Sequence, residues 1–224
     1  MNLYHALNRG VDKRELFLDS ADYVRFIHDL YEFNTTAPAE QTARCLRNKD
    51  TSGLRNRTSE RLVDIHGWCL MKNHYHLLLS ERIEGGLSLF LRKINVGYAN
   101  YFNIRYERQG TLFQGRTKKI VIETDAHFLY ILHYIHLNPL DYHTGSEDWR
   151  VRTRGTIRGS NKALSYLRTY RWSSYLDYIN VKNFPSLLRT DAFKNSDVFP
   201  DYLAAVQEYL GDCEDPSMGN LLLE

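Results

Sequence analysis

The sequence has little cysteine, no long apolar run and no internal repeat. Its 224 residues include only three cysteines, which stand far apart and form no CxxC pair. This argues against a disulfide framework or a thiolate zinc site. No apolar run approaches the roughly 18 residues that a membrane span needs, and the first residues contain neither a basic leader nor an apolar stretch. We therefore expect a cytoplasmic protein with no membrane partner.

Positive charge is missing from the C-terminal end. Residues 196–224 contain seven acidic residues and no Lys or Arg, which leaves a charge of +9 on residues 1–195. A basic body with an acidic tail suggests a polyanionic partner for the body. The sixteen tyrosines suit base stacking but also suit an ordinary core, so composition alone leaves nucleic-acid binding open.

Apolar spacing along residues 3–138 predicts elements in the order β-α-β-β-α-β-α. Because the strands pair as hairpins and carry helices on one face, we predict an α+β fold with an antiparallel β-sheet flanked by α-helices. Residues 34–60 have no sustained apolar period and are predicted to be a loop or insertion. The predicted strands are 3–7, 62–71, 74–80 and a strand pair or one long bent strand over 111–123. The first predicted helix is capped by Ser20, and the second follows Gly85-Gly86. The third runs from Thr124 or Asp125 to Asn138, before Pro139, and the last covers 201–210.

Two histidines stand at strand spacing in His74-Tyr75-His76. Residues i and i+2 of a strand point to the same face, so the two imidazoles project side by side. Such a pair is a bidentate platform for a divalent ion. The alternative is two histidines on a half-exposed strand face.

A line of polar residues follows the predicted helix over 125–138. Tyr130, Tyr134 and Asn138 are four residues apart, so they lie along one side of the helix. An Asn carbonyl oxygen suits a metal held by two imidazoles, and a tyrosine one turn earlier would lie beside that metal. A phenolate attacking phosphorus would leave a phosphotyrosine ester and a free hydroxyl. The alternative is that these tyrosines are the edge of an amphipathic core.

Five blocks of the sequence stand out: Tyr4-His5-Ala6-Leu7-Asn8-Arg9-Gly10, Trp68-Cys69-Leu70-Met71-Lys72-Asn73-His74-Tyr75-His76-Leu77-Leu78-Leu79, Leu112-Phe113-Gln114-Gly115-Arg116, Tyr134-Ile135-His136-Leu137-Asn138-Pro139 and Trp172-Ser173-Ser174-Tyr175. In this order they resemble the REP-associated tyrosine transposases, which belong to the single-tyrosine HUH transposases of bacteria. The resemblance spans residues 3 to about 178, with 34–60 as an insertion. We therefore divide the chain into a domain over 1–178 and an acidic C-terminal extension over 179–224.

The resemblance implies a fold, an activity and a set of site residues. The fold is the ferredoxin-like HUH-nuclease type shared with rolling-circle initiators. The activity is metal-dependent nicking and joining of single-stranded DNA at REP hairpins, through a 5′-phosphotyrosine link and a free 3′-hydroxyl. His74 and His76 match the metal ligands, Asn138 the third ligand and Tyr134 the nucleophile. The implied ion is Mg²⁺ or Mn²⁺, and the implied location is the bacterial nucleoid.

The chemistry of the residues adds detail to this assignment. Two imidazoles and one amide form a neutral ligand set, for which we expect Mn²⁺ to bind more tightly than Mg²⁺. Tyr130 is a competing nucleophile, but the block around Tyr134 favours Tyr134. His66, His133 and His136 are expected to pack or to hydrogen-bond rather than to bind metal.

Several basic residues are candidates for DNA contact, with solvated surface charge as the alternative for each. The acidic tail could mask the DNA groove, contact a partner or keep the protein soluble. A monomer and a homodimer both remain open, as do two other functions: a domesticated hairpin-binding protein that does not cleave, and a metal-dependent hydrolase of small phosphates. The DNA-contact candidates are Arg9, Arg116, Lys118, Lys119, Arg150, Arg152 and Arg154.

Overall fold

A computed structural model describes residues 2–37, 60–150, 160–189 and 201–211. Four strands of these residues form one antiparallel sheet in the order β2-β3-β1-β4. The β2–β3 hairpin turns at Lys72-Asn73, as the sequence predicts. The strands are β1 Leu3–Arg9, β2 Val63–Met71, β3 His74–Glu81 and β4 Lys118–Ile122.

Helices flank this sheet, which confirms the predicted α+β class with an antiparallel sheet. Short 3-10 helices cover Val11–Lys13, Asn138–Tyr142, Glu147–Arg150 and Pro185–Leu187. The α-helices are α1 Ser20–Glu32, α2 Gly86–Arg105, α3 Asp125–Leu137, α4 Ser160–Thr169, α5 Tyr175–Tyr178 and α6 Tyr202–Gly211.

The helices cover both faces of the sheet, so the expectation of helices on one face was wrong. Helices α1 and α2 share a buried core with Leu77, whereas α3, α4 and α6 share a second core with Leu78. Neighbouring residues of a strand point to opposite faces. Because β3 carries apolar side chains at both parities, each face of the sheet needs its own layer of helices.

Less of the region 111–123 is β-strand than the sequence predicts. Only Lys118–Ile122 forms a strand, and Phe113 makes an isolated bridge to Gly10. Gly115 interrupts the segment with a φ of +70°, a conformation that glycine adopts without steric cost. The chain therefore turns before it joins the edge of the sheet.

Two helix boundaries also differ from the prediction. The side chain of Asp19, not Ser20, caps α1 by accepting hydrogen bonds from the backbone N–H groups of Ala21 and Asp22. Pro139 ends the α-helix but not the helical path, because a 3-10 helix continues through Tyr142. Proline is tolerated there since its missing N–H is not needed in a first helical turn.

The predicted insertion leaves and rejoins the fold at one place. The side-chain oxygen of Asn34 accepts hydrogen bonds from the backbone N–H groups of Leu62 and Val63, and its amide donates to the carbonyl of Val63. Residues 38–59 of the insertion lie outside the described part of the chain.

Helix α6 packs on the same core as α3. Its residues Tyr202, Val206 and Leu210 are buried there, so part of the acidic extension contributes to the globular core. In the described residues, no helix combines the length and apolarity that crossing a membrane requires.

Candidate tyrosine and histidine site

The candidate site lies on the sheet face that α3 covers. His74 and His76 project to this face from β3, with their ring centroids 4.9 Å apart. His5 projects to the same face from β1, because it pairs with Leu78 in the register of the two strands. The imidazole of His5 stacks on that of His76 at a centroid distance of 5.1 Å.

Hydrogen bonds orient both histidines of β3. Nδ1 of His74 lies 2.6 Å from Oδ1 of Asn73, and an amide oxygen only accepts, so Nδ1 of His74 carries the proton. The Asn73 amide is itself oriented, since its Nδ2 donates to the carbonyl of Lys13. In the neutral form of His74, the lone pair of the ring would then be at Nε2.

His76 is fully buried, and its second nitrogen points into the site. Its Nδ1 lies 2.9 Å from Nε2 of His5. Among the described residues, none hydrogen-bonds to Nε2 of His76, although that atom is buried. Burial lowers the pKa of His76 well below its ordinary value, and the nearby cations, including Arg150 and Arg9, lower it further. His76 is therefore neutral at pH 7, the form in which imidazole binds a metal.

Tyr134 of α3 completes the cluster. Its ring meets His76 edge-on at 5.5 Å and His5 edge-on at 6.1 Å between centroids. Only 3% of Tyr134 is exposed. Residues from β1, β3 and α3, which are distant in sequence, thus bring one phenol against two imidazoles.

Asn138 lies one helical turn beyond Tyr134, and both the nitrogen and the oxygen of its side-chain amide are hydrogen-bonded. Its Nδ2 donates to the backbone carbonyl of Tyr134 at 2.7 Å. Its Oδ1, the atom that would bind a metal, accepts a hydrogen bond of 2.7 Å from Nη2 of Arg150. The predicted third ligand is therefore at the site, but its oxygen contacts a guanidinium.

Arg150 and Trp149 cover the phenol of Tyr134. The guanidinium carbon of Arg150 lies 5.6 Å from the centre of the Tyr134 ring and 4.3 Å from that of Trp149. Asp141 fastens this cover, since it accepts from Nε1 of Trp149 at 2.7 Å and forms an ion pair with Arg150. Burial opposes the charge of Arg150, but Asp141 and Tyr134 outweigh it and raise the pKa of Arg150.

The donor set fits a divalent ion in part. Two imidazoles suit Mn²⁺ better than Mg²⁺, and the buried Nε2 of His76 is the kind of atom that a metal would satisfy. Oδ1 of Asn138 could join them only if Arg150 withdrew. In the described residues, no group of three or more His, Cys, Asp or Glu side chains is arranged to hold a metal ion.

The candidate DNA contacts other than Arg150 lie in four places. Arg9 pairs with His74 across the sheet, and Lys118 pairs with Leu7, so both lie on the face of the histidines. Lys119 projects to the opposite face, where it donates to Ser88 of α2, and Arg116 is exposed in the loop before β4. Arg152 and Arg154 lie outside the described residues.

His136 and His66 make structural contacts, as the sequence suggested. His136 is fully buried between the hydroxyls of Tyr202 and Ser174. His66 contacts Ser80 and the carbonyl of Arg189. The ring of Tyr130 contacts Tyr209 of α6, whereas that of Tyr134 faces the histidines.

Sequence reasoning missed His5, Trp149 and Asp141 as parts of this site. His5 stands in a quoted block, and its alternation within the strand was the available signal. Its contact with His76 depends on the register of β1 against β3, which no local pattern specifies. Trp149 and Asp141 reach the site through a turn that carries no sequence motif.

The comparisons with known proteins concern the fold. No protein-family model matches the sequence, and no curated protein matches it. A solved structure of a REP-associated tyrosine transposase bound to a REP hairpin does match, with a TM-score of 0.50, 13% sequence identity and coverage of 94% of this chain and 91% of that one. The two proteins share a fold. At this identity, the likeness supports the fold class and assigns no role to individual residues.

Proposed function

We propose that this protein is a metal-dependent single-stranded DNA endonuclease and strand transferase of the transposase type, which cleaves near hairpins through Tyr134. The observation that carries the proposal is the contact of the Tyr134 ring with His76 and His5. A phenol against His76, one of the proposed metal ligands, is a nucleophile beside a metal platform. The shared fold with a hairpin-bound tyrosine transposase supports DNA as the substrate.

The reaction is a transesterification at phosphorus. The phenol of Tyr134 loses its proton, and its Oη forms a bond to the phosphorus while the bond from phosphorus to the 3′ oxygen breaks. The leaving 3′ oxygen takes up a proton, which leaves a 3′-hydroxyl and a 5′-phosphotyrosine. The ester energy is retained, so attack by another 3′-hydroxyl rejoins a strand without ATP.

His74, His76 and Asn138 would hold the ion. A bound Mn²⁺ or Mg²⁺ would neutralise charge on the scissile phosphate and favour attack by the phenol. The residues of the chain orient these groups: Asn73 and His5 set the direction of the imidazoles, and α3 aims Tyr134 at them.

The proposed partner is single-stranded DNA that carries a hairpin. Arg9 and Lys118 border the site on its own face and would contact phosphates on either side of the cleaved bond. Arg116 and the basic residues 150–154 would extend this contact.

The test is a denaturing-gel assay for a covalent protein–DNA adduct. Labelled single-stranded hairpin oligonucleotides from the DNA that flanks the gene are incubated with Mn²⁺ or Mg²⁺. We expect an adduct with wild type that chelator abolishes, no adduct with Tyr134→Phe, and an adduct with the matched control Tyr130→Phe. Loss of the adduct in Tyr130→Phe alone would assign the nucleophile to Tyr130, and hydrolysis that survives Tyr134→Phe would indicate a water-based hydrolase.

A second candidate is a hairpin-binding protein that does not cleave. The contact of Arg150 with Oδ1 of Asn138 and the small exposure of Tyr134 favour it, because both oppose catalysis in this arrangement. Hairpin binding without an adduct in either metal would support this candidate over the nuclease.

A further inference from the structure

A latch closes the candidate metal site from the side of α3. We use the name Arg150 latch for the contacts that Arg150 makes with Asn138 and with Asp141. The latch has one hydrogen bond on the amide oxygen of Asn138, at 2.7 Å, and one ion pair with Asp141. It is buttressed by Trp149, which is 95% buried and donates to the same Asp141 carboxylate.

The latch and a metal ion would need the same oxygen. A guanidinium at hydrogen-bond distance from Oδ1 of Asn138 would stand within a few ångströms of a dication bound to that oxygen. The two positive charges repel strongly in a buried site.

The latch also blocks the nucleophile. Tyr134 is 3% exposed, and the Arg150 guanidinium lies 5.6 Å from its ring centre. A phosphodiester that reaches Tyr134 must displace this guanidinium from Asn138 or bind it. Arginine binds phosphate oxygens in bidentate fashion, so an incoming phosphate offers Arg150 a better acceptor than a neutral amide.

We infer that Arg150 gates the metal site: latched on Asn138 it keeps the divalent ion out, and drawn onto a DNA phosphate it releases the amide oxygen to that ion. This inference rests on the metal site of the proposed function. Its consequence is that DNA and metal bind cooperatively, because each favours the open position of Arg150. The arrangement would prevent a metal-loaded tyrosine from forming without substrate.

The test is a calorimetric titration of the full-length protein with Mn²⁺ in the absence of DNA. We expect Arg150→Ala to bind Mn²⁺ roughly tenfold or more tightly than wild type, because a competing cation has gone. Arg108→Ala is the matched control, since Nη1 of Arg108 also donates to an Asn amide oxygen, that of Asn103, at 2.7 Å, and it should bind Mn²⁺ like wild type. Arg9→Ala removes a second nearby cation without opening the latch and should give a smaller gain.

Several results would overturn the gate. These are equal or weaker Mn²⁺ binding by Arg150→Ala, the same gain in Arg9→Ala, or no Mn²⁺ binding by any variant. Arg150→Gln, which removes the charge and keeps a polar side chain, replaces Arg150→Ala if thermal melts show that the alanine variant is unfolded. In the hairpin assay, Arg150→Ala should form less adduct despite its tighter metal binding. Tighter Mn²⁺ binding with no adduct even in wild type would uphold the gate and reject the nuclease.

Discussion

The protonation and orientation of two imidazoles control what the site binds. His74 is oriented by Asn73, an acceptor in the turn directly before its strand. His76 is oriented by His5, which reaches it from a neighbouring strand. When Nδ1 of His76 donates to Nε2 of His5, Nε2 of His76 carries a lone pair that points into the site. A metal-binding histidine with such a hydrogen-bond acceptor is more basic and better oriented than a histidine without one.

His5 is therefore expected to be a positioning residue for His76. His5→Phe keeps a ring but loses the hydrogen bond, and we expect it to weaken Mn²⁺ binding by roughly 10- to 100-fold. His5→Gln can still accept from Nδ1 of His76 and should retain most of the affinity. Titration calorimetry measures both, and equal losses in the two variants would show that only packing is involved.

Among the elements, α1 and α2 approach closely because one residue of the interface has no side chain. A Cβ added at Gly97 of α2 would lie 2.3 Å from a ring carbon of Phe33, which is buried at the end of α1. Small residues at a helix contact allow such an approach, and overpacking it forces neighbours out of their rotamers.

We expect Gly97→Ala to destabilise the protein. Alanine gains about 1 kcal/mol in helix propensity over glycine, but overpacking costs about 1–3 kcal/mol, and the ring of Phe33 cannot move into solvent without losing its burial. Urea unfolding measures the net change in the free energy of unfolding. Asn100→Ala, at an exposed position of α2, should be stabilising by a few tenths of a kcal/mol, and Phe33→Leu should partly rescue Gly97→Ala.

Helix α1 also contains an acid whose pKa is raised by folding. Asp29 is 1% exposed, and burial raises its pKa to about 7, against the opposing effect of Arg25. A raised pKa means that the folded state binds the proton more tightly than the unfolded state. Asp29 therefore makes its full contribution to the free energy of unfolding below about pH 4, and this contribution is lost as the pH rises through about 7.

Asp29→Asn should remove this pH dependence. Wild type should lose at most about 4 kcal/mol of its free energy of unfolding between about pH 4 and pH 7 through this group. Urea unfolding at several pH values measures this loss. Arg25→Met should move the loss to higher pH, because Arg25 lowers the pKa of Asp29. Parallel stability curves for wild type and Asp29→Asn would contradict the assignment.

Across the whole molecule, the charge is divided between a basic body and an acidic end. Helix α6, within the acidic end, is part of the core through Tyr202, Val206 and Leu210. Removing all of 196–224 would therefore expose core surface. A truncation after Gly211 keeps α6 and removes four acidic residues and no basic one, which raises the net charge from +2 to +6.

If the tail masks the DNA surface, this truncation raises the affinity for single-stranded DNA. We expect a gain of roughly tenfold at low salt that fades at high salt, because screening weakens charge effects between separated groups. Fluorescence anisotropy with a labelled hairpin oligonucleotide measures it. An affinity unchanged at low salt would reject masking.

Local patterns in the sequence determine much of this fold and of its site. The two-residue period of β3 places His74 and His76 on one face, and the four-residue spacing of α3 aligns Tyr134 with Asn138. The β2–β3 hairpin and the limits of α3 follow from turn and capping residues near in sequence. These features depend on backbone geometry within one element, so the sequence alone predicts them.

Tertiary structure decided the rest. The contact of His5 with His76 depends on strand register, the two-sided covering of the sheet depends on which apolar faces find partners, and the position of α6 depends on a core assembled from distant segments. The latch of Arg150 on Asn138 depends on the path of a turn that has no motif. All of these are long-range contacts whose free energy comes from packing and burial in the complete fold, which no periodicity within one segment encodes.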